Sequence, residues 1–345
     1  MIKILFGNLP FGYLMYGGAE VQLERTRESL ERLGATVSLY SQWDRTTFNG
    51  IDIVHWFHID PSSAEILRFA RQRGLKIVIS SIFWPRRPRL EPLWTRITGL
   101  PKKLGIPITS YFAMARSVLN LADIVIASSE SEAYHLRRIF SISEEKLRIV
   151  NVGVSADFAC ATPHLFRQRY GLSGFVLCVG RVEPLKNQLR LLMALRDIEV
   201  PVVLIGDCSV NPQYYKCCLE LRRPMTYFLG RLDHRDPLLS SAYAAANVLA
   251  MPSLFEIPGL VALEGALAGC RLAVTSKGNT HEYFRDFVEY VNPRSISSIQ
   301  GGVLKAMQIS QEKVSGLREL ILCEYSWEAV GRKIMSIYAE LLNLS

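Results

Sequence analysis

Several motifs that would assign a function at once are missing from this sequence. The seven cysteines, at 160, 178, 208, 217, 218, 270 and 323, include no CxxC pair. No zinc or dithiol motif is therefore encoded, and their strand-like or small-residue surroundings predict buried free thiols. No DxD occurs, so the acidic residues have no evident pattern for a divalent cation bridging phosphates. GxGxxG, GxSxG, HExxH and GxxxxGK[ST] are equally missing, which removes the dinucleotide fingerprint, the nucleophile elbow, the zincin helix and the P-loop. No aromatic-basic RNA signature appears, so nucleic acid is not expected. The opening run MIKILFGNLP is broken by Gly7, Asn8 and Pro10. It fits neither a signal peptide nor a membrane span, and a cytoplasmic location is expected.

What is present is ample core material. With 345 residues, 49% of them hydrophobic, the chain is long for one core and predicts two domains. The net charge of +8 is unevenly spread. Residues 84–103, WPRRPRLEPLWTRITGLPKK, hold Arg86, Arg87, Arg89, Arg96, Lys102 and Lys103 against Glu91 alone. Trp84, Leu93 and Trp94 interleave with these cations. The stretch is either a solvated basic loop or a surface for anionic lipid or a phosphate-bearing partner.

Short β-rich runs alternate with helix-period segments. IKILFGN, TVSLYS, DIVHWFH, KIVISS, DIVIASS and LRIV read as strands in the first half; FVLCVGR, VPVVLIGD, TYFLGR, VLAMPS and RLAVTS do so in the second. AEVQLERTRESLERLG reads as an amphipathic helix, and YSWEAVGRKIMSIYAELLNL as a terminal one. This alternation predicts parallel sheets covered on both faces, hence α/β architecture in two consecutive doubly wound domains. The segment from Asn151 to Gly174 lacks a clear strand and marks the linker.

In doubly wound sheets ligands bind beyond the carboxyl ends of the strands. Four places qualify. In VGRVEPLKNQ, Arg181 leaves a strand and Lys186 precedes a helix, a pairing suited to a diphosphate. FEIPGLVALEGALAGC carries Glu256 and Glu264 in an otherwise apolar setting, with Pro258 and Gly259 at a helix start. Acidic residues near a helix amino terminus gain from its dipole. That gain does not account for Glu264 within the small-residue run LVALEGALAG, whereas a ligand rich in hydroxyls would give both carboxylates partners, one holding a sugar and the other a ribose. MYGGAE places Gly17 and Gly18 before the first helix, where a backbone can approach a ligand closely. His55 and His58 flank the end of a strand in DIVHWFHID, as structural histidines or as groups that bind acceptor or assist proton transfer.

VGRVEPLKNQ, FEIPGLVALEGALAG, the GGAE before the first helix, IVNVGVSADF and YSWEAVGRKIMSIYAELL together resemble the retaining, nucleotide-sugar-dependent glycosyltransferases of the GT-B fold, the glycosyl transferases group 1 or family 4. The resemblance spans nearly the whole chain. It implies two Rossmann-like domains facing a cleft: residues 1–155 for the acceptor, 156–325 for the nucleotide sugar, and 326–345 as a terminal helix crossing back to the first domain. It also implies that Arg181 and Lys186 hold the donor diphosphate, Glu256 the sugar hydroxyls and Glu264 the ribose. Arg231 and Leu232 would lie near the base, Gly259 and Leu260 beside the donor, and Gly17 and Gly18 against the donor phosphates and acceptor.

The same resemblance implies retention of anomeric configuration with neither metal nor cofactor, by a same-face substitution in which the leaving diphosphate takes the acceptor proton. Relatives commonly carry a histidine just after the fourth strand. Here that place holds Ser80, Ser81 and Phe83, which turns attention to His55 or His58. The expected activity is sugar transfer to a glycan or lipid-linked acceptor in bacterial surface polysaccharide or glycolipid assembly, by a cytoplasmic protein peripheral at the inner membrane face. The alternatives are a sugar-nucleotide epimerase or hydrolase of this fold, and a catalytically silent relative that binds membrane or a partner through residues 84–103.

Overall fold

The computed structural model describes residues 1–8, 18–85 and 110–344. The chain divides into two compact units, residues 1–153 with 327–345, and residues 154–326.

In the first unit, β1 (Lys3–Gly7), β2 (Thr36–Leu39), β3 (Ile53–Phe57), β4 (Lys76–Ser80), β5 (Ile124–Ala127) and β6 (Leu147–Ile149) form one sheet in the order β2-β1-β3-β4-β5-β6. Every pairing is parallel. Strands covered on both faces need continuous rather than alternating apolarity, and IVHWF in β3 is buried at all five positions. The covering helices are α1 (Gly18–Arg32), α2 (Ala64–Gln72), α3 (Tyr111–Leu121) and α4 (Glu130–Phe140). Local chemistry starts two of them, since Ser110 accepts from the Ala113 amide and Ser129 from the Glu132 amide.

The terminal helix, numbered α13 (Trp327–Leu341), also belongs to this unit. Ser29 of α1 donates to the Trp327 carbonyl at 2.8 Å, and a Cβ on Gly331 would fall 2.1 Å from the Ser29 hydroxyl. Tyr338 reaches down to the sheet, where its hydroxyl meets His55 Nδ1 at 2.5 Å.

In the second unit, β7 (Val176–Val179), β8 (Val202–Ile205), β9 (Thr226–Phe228), β10 (Val248–Met251), β11 (Arg271–Thr275) and β12 (Glu289–Val291) form a second parallel sheet, in the order β12-β11-β10-β7-β8-β9. Five of these strands match the runs read from sequence; β12, a three-residue EYV, does not. The helices are α5 (His164–Tyr170), α6 (Gln188–Ala194), α7 (Pro212–Glu220), α8 (Pro237–Ala245), α9 (Leu260–Leu267), α10 (Thr280–Phe284), α11 (Ile296–Ala306) and α12 (Gln311–Tyr325). Apolar clusters lie on both faces of the sheet, one around Phe166, Phe175 and Tyr243, the other around Leu191, Leu204 and Val303. All seven cysteines are free, and Cys178, Cys218 and Cys270 are buried.

In each sheet the direction of strand addition reverses once, between β1 and β3 in the first and between β7 and β10 in the second. Connections there leave in opposite directions and open a crevice at the carboxyl ends of the two strands. No helix among the described residues is long and apolar enough to cross a membrane.

Candidate functional site

The loops after β7 and β10 carry most of the residues singled out in the sequence. Arg181 leaves β7 half exposed, with its guanidinium 3.1 Å from Glu183. Five residues on, Lys186 turns inward and places Nζ 2.7 Å from Glu256 Oε1. Their side chains are 23% and 8% exposed, so the charges meet in a partly dry setting. Asn187 fixes this loop: it takes a left-handed conformation (φ 63°) and its side-chain amide donates to the carbonyls of Pro252 and Pro293, both at 2.8 Å. The Leu254 amide donates to the Leu185 carbonyl at 2.8 Å and ties the loops together directly.

Glu256 is held by its backbone as well as by its charge. Its amide donates to the Lys277 carbonyl at 3.1 Å, and its carbonyl accepts from the Asn279 amide at 3.2 Å. This approach requires glycine at 278, where φ is 102° and a Cβ would fall 1.8 Å from the Glu256 oxygen. Gly259, at φ 90°, is less tightly hemmed in, with its missing Cβ 2.8 Å from Met251 Sδ and 3.2 Å from Glu256 Oε2. Leu260 then opens α9.

Glu264 lies on the second turn of α9 and is 3% exposed. Its two oxygens have separate partners, His234 Nε2 at 2.7 Å and the Tyr243 hydroxyl at 2.8 Å. Burial and the adjacent carboxylate push the Tyr243 phenol far above its ordinary range, which keeps it a donor. Arg231 follows β9 and is exposed, while Leu232 packs against the core. Hydrogen bonds from Ser209 hold the Asp207 carboxyl below its usual range, with smaller contributions from Arg231 and Arg181, so both cations act on one acidic group.

Not every expected residue lies in a site. His55 is fully buried in the middle of β3, its ring nitrogens taken by Tyr338 (2.5 Å) and the Ser80 hydroxyl (2.8 Å). Burial lowers its pKa to about 3, so the ring is neutral, one nitrogen donating and the other accepting. This placement removes His55 from the acceptor-binding reading; a strand interior covered on both faces leaves no room for substrate. His58 is half-buried with φ 72°, and burial lowers its pKa against a smaller opposing pull from Asp60. Gly18 opens α1, whereas Gly17 and all but Trp84 and Pro85 of the basic stretch 84–103 lie outside the described residues.

Other residues emerge only from the fold. Ser253, Gln188 and Asn279 each bury side-chain polar atoms with no partner among the described residues: Ser253 Oγ, Gln188 Oε1, and both polar atoms of the Asn279 amide. Ser253 lies just after β10, Gln188 opens α6, and Asn279 bonds the Glu256 carbonyl through its backbone. Buried polar atoms left open at one crevice match a place where ligand or water completes the bonding. His234 lies in the loop that follows β9, so the carboxyl-end rule could have pointed to it; Tyr243, inside an apolar helix, gives no such signal. Among the described residues, no group of three or more His, Cys, Asp or Glu side chains could hold a metal ion.

Comparison with known proteins gives two consecutive family matches. Residues 42–158 match the model described as Glycosyltransferase Family 4, and residues 167–318 match Glycosyl transferases group 1. An uncharacterized glycosyltransferase of Methanocaldococcus jannaschii is 25% identical over 232 residues, 62% of this chain and 59% of that protein, so the chain spans about three fifths of its length. A D-inositol 3-phosphate glycosyltransferase of Corynebacterium urealyticum is 23% identical over 390 aligned residues, covering 94% of this chain and 91% of the relative. Among solved structures, sucrose-phosphate synthase from Thermosynechococcus elongatus superposes with a TM-score of 0.77 at 17% identity, covering 99% of this chain and 100% of that one. WaaG, a glycosyltransferase involved in lipopolysaccharide biosynthesis, superposes with a TM-score of 0.69 at 15% identity, covering 98% and 99%. At such identities these structures establish a shared GT-B fold.

Proposed function

The chain belongs to the glycosyl transferases group 1 family, and from that premise we propose that it transfers a sugar from a nucleoside-diphosphate sugar to a glycan or lipid-linked acceptor, with retention of anomeric configuration. The observation that carries this reading is the Lys186–Glu256 contact at the β7/β10 reversal, with Glu264 paired on the following helix. A cation and two buried carboxylates at one crevice suit a ligand that is anionic at one end and rich in hydroxyls along the rest.

In the reaction Arg181 and Lys186 stabilise the charge that develops on the leaving diphosphate, the role a divalent cation plays in other transferases. Such preorganised stabilisation is worth about 3–4 kcal/mol per donor removed. Glu256 accepts bonds from sugar hydroxyls and Glu264 from the ribose, each exchanging a present partner for a substrate hydroxyl. The leaving oxygen takes the acceptor proton on the same face, so no protein nucleophile is needed. The cations of residues 84–103 favour an acceptor at an anionic surface, and the likeness to WaaG supports a role in surface polysaccharide or glycolipid assembly.

Incubating the protein with a panel of nucleoside-diphosphate sugars and candidate acceptors, with product configuration read by NMR, tests the proposal. Transfer with retention is expected, abolished by Arg181→Ala or Glu256→Ala. Unchanged transfer in those variants overturns the assignment of the site. Donor turnover without any acceptor favours a hydrolase or epimerase instead, and no nucleotide binding with intact vesicle binding favours a silent relative.

A further inference from the structure

Asn279 stands at the start of α10, a position where the oxygen of an asparagine side chain ordinarily accepts from an amide of the first turn. Here it makes no such bond, and the turn is closed through the backbone, the Glu282 amide donating to the Asn279 carbonyl at 3.0 Å. The side chain is 1% exposed, and neither its nitrogen nor its oxygen has a hydrogen-bond partner among the described residues. A buried amide left in this state weakens the fold unless something else completes its bonds.

Its surroundings show where that completion comes from. The loops after β7, β10 and β11 are laced together by hydrogen bonds from Leu254 to Leu185, from Asn187 to Pro252, and between Glu256 and both Lys277 and Asn279. Those strands are neighbours in the sheet, so the loops leave from beside the reversal of strand order. Ser253 Oγ and Gln188 Oε1, carried by the other two segments, are likewise buried without partners among the described residues. Lys186 can only donate and Glu256, ionised, can only accept, whereas a side-chain amide does one with each end. Asn279 can therefore serve two neighbouring hydroxyls at once.

We propose that Asn279 is a specificity-determining residue of the donor site, selecting nucleoside-diphosphate sugars with a free pair of adjacent hydroxyls over donors that lack either member; the proposal rests on the transferase reading above. As the diphosphate draws Lys186 from Glu256, the sugar enters beside the Glu256 backbone, one hydroxyl accepting from the Asn279 nitrogen and the next donating to its oxygen. A deoxy donor leaves one end of a buried amide unpaired, the case in which a polar site rejects an analogue most strongly. An apolar pocket would separate the two donors only weakly.

The test identifies a nucleoside-diphosphate hexose that the protein turns over, from a panel that includes UDP-glucose, UDP-galactose and GDP-mannose, and compares it with its 2-, 3- and 4-deoxy analogues. Two adjacent positions are expected to matter, each deoxy donor losing about 10²-fold or more in kcat/KM. In Asn279→Ala both penalties should shrink to about tenfold or less, with KM for the intact donor raised and affinity for the nucleoside diphosphate unchanged. The backbone at 279, with φ −106°, is one that alanine adopts, and the amide has no described bond to lose. Urea unfolding should therefore find the variant no less stable than the parent, a result that a merely structural asparagine would not give.

Deoxy penalties unchanged in Asn279→Ala overturn the inference and leave the transferase reading standing. So does a variant that loses stability and nucleoside diphosphate affinity together, or a crystal structure of the donor complex in which ordered water occupies both ends of the amide. A parent protein that binds no nucleoside diphosphate and no nucleotide sugar removes the transferase reading and this inference with it.

Discussion

Lys186 Nζ lies 2.7 Å from Glu256 Oε1, so the loop after β7 and the loop after β10 are joined by charge at the point where the strand order reverses. Each residue serves as the other's counter-ion. A donor sugar nucleotide would separate them, its diphosphate taking the lysine and its hydroxyls the carboxylate.

Lys186→Ala should therefore lower transfer by about 10²–10³-fold, the usual effect of losing one preorganised donor to a leaving group. Affinity for a nucleoside diphosphate should fall while affinity for the free nucleoside stays unchanged. The same variant leaves Glu256 buried without its cation, and a stability loss of about 1–3 kcal/mol is expected from urea unfolding. Equal weakening of diphosphate and nucleoside would argue that Lys186 acts by shaping the loop rather than by its charge.

Glu264 and Tyr243 form a second buried pair. Removing the acid by Glu264→Ala leaves the phenol without an acceptor, so a loss of about 1–3 kcal/mol is expected, along with weaker nucleoside binding. Adding Tyr243→Phe should return part of that stability, because the stranded hydroxyl is gone, but none of the binding. His234→Ala should be milder, near 1 kcal/mol, since His234 is 25% exposed and water can replace it.

His55 sets a pH dependence. Its folded pKa of about 3 lies below the ordinary 6.5, so the unfolded chain binds the extra proton between those values and stability rises with pH across that window. Acidification from 6.5 towards 3 should remove on the order of a few kcal/mol, loosening α13 from the sheet where Tyr338 meets the ring. His55→Gln is expected to flatten the stability profile in that range, measured as unfolding midpoint against pH. An unchanged slope would place the acid sensitivity elsewhere.

The fold was largely legible because its strands are covered on both faces. Runs such as IVHWF, VVLI and VLAM are continuous in apolar residues, and glycine or polar breaks separate them from helical spacing. β12 escaped because Glu289–Tyr290–Val291 is short and only its last residue is fully buried. Rules about strand ends singled out Arg181, Lys186 and Glu256, but sequence spacing says nothing about the pairing of residues 70 positions apart. The partners of Glu264 come from β9's following loop and from α8, and His55 finds Tyr338 283 residues away. Such contacts depend on topology, not on local pattern.

Glu132 supplies the last prediction. It follows the Ser129 cap of α4, yet its carboxylate turns away from that cap and accepts four bonds: from the Ser81 hydroxyl (2.5 Å), the Phe83 amide (2.6 Å), and the amide and hydroxyl of Ser128 (2.7 and 2.6 Å). One fully buried acid thus ties the segment after β4 to the segment after β5. Between two of its partners lies Ile82 at φ 43°, a conformation that a β-branched residue avoids unless its surroundings impose it. Glu132→Ala strands several buried donors and releases that constraint, so a loss of about 3–5 kcal/mol is expected, with an unaltered urea m-value. Glu132→Gln should not rescue it, because the amide NH₂ would face donors that need an acceptor. Ser128→Ala, which removes one bond of the four, should lose only about 1 kcal/mol. If Glu132→Gln proves as stable as the parent, the four bonds do not hold this loop and Ile82 must be fixed by packing alone.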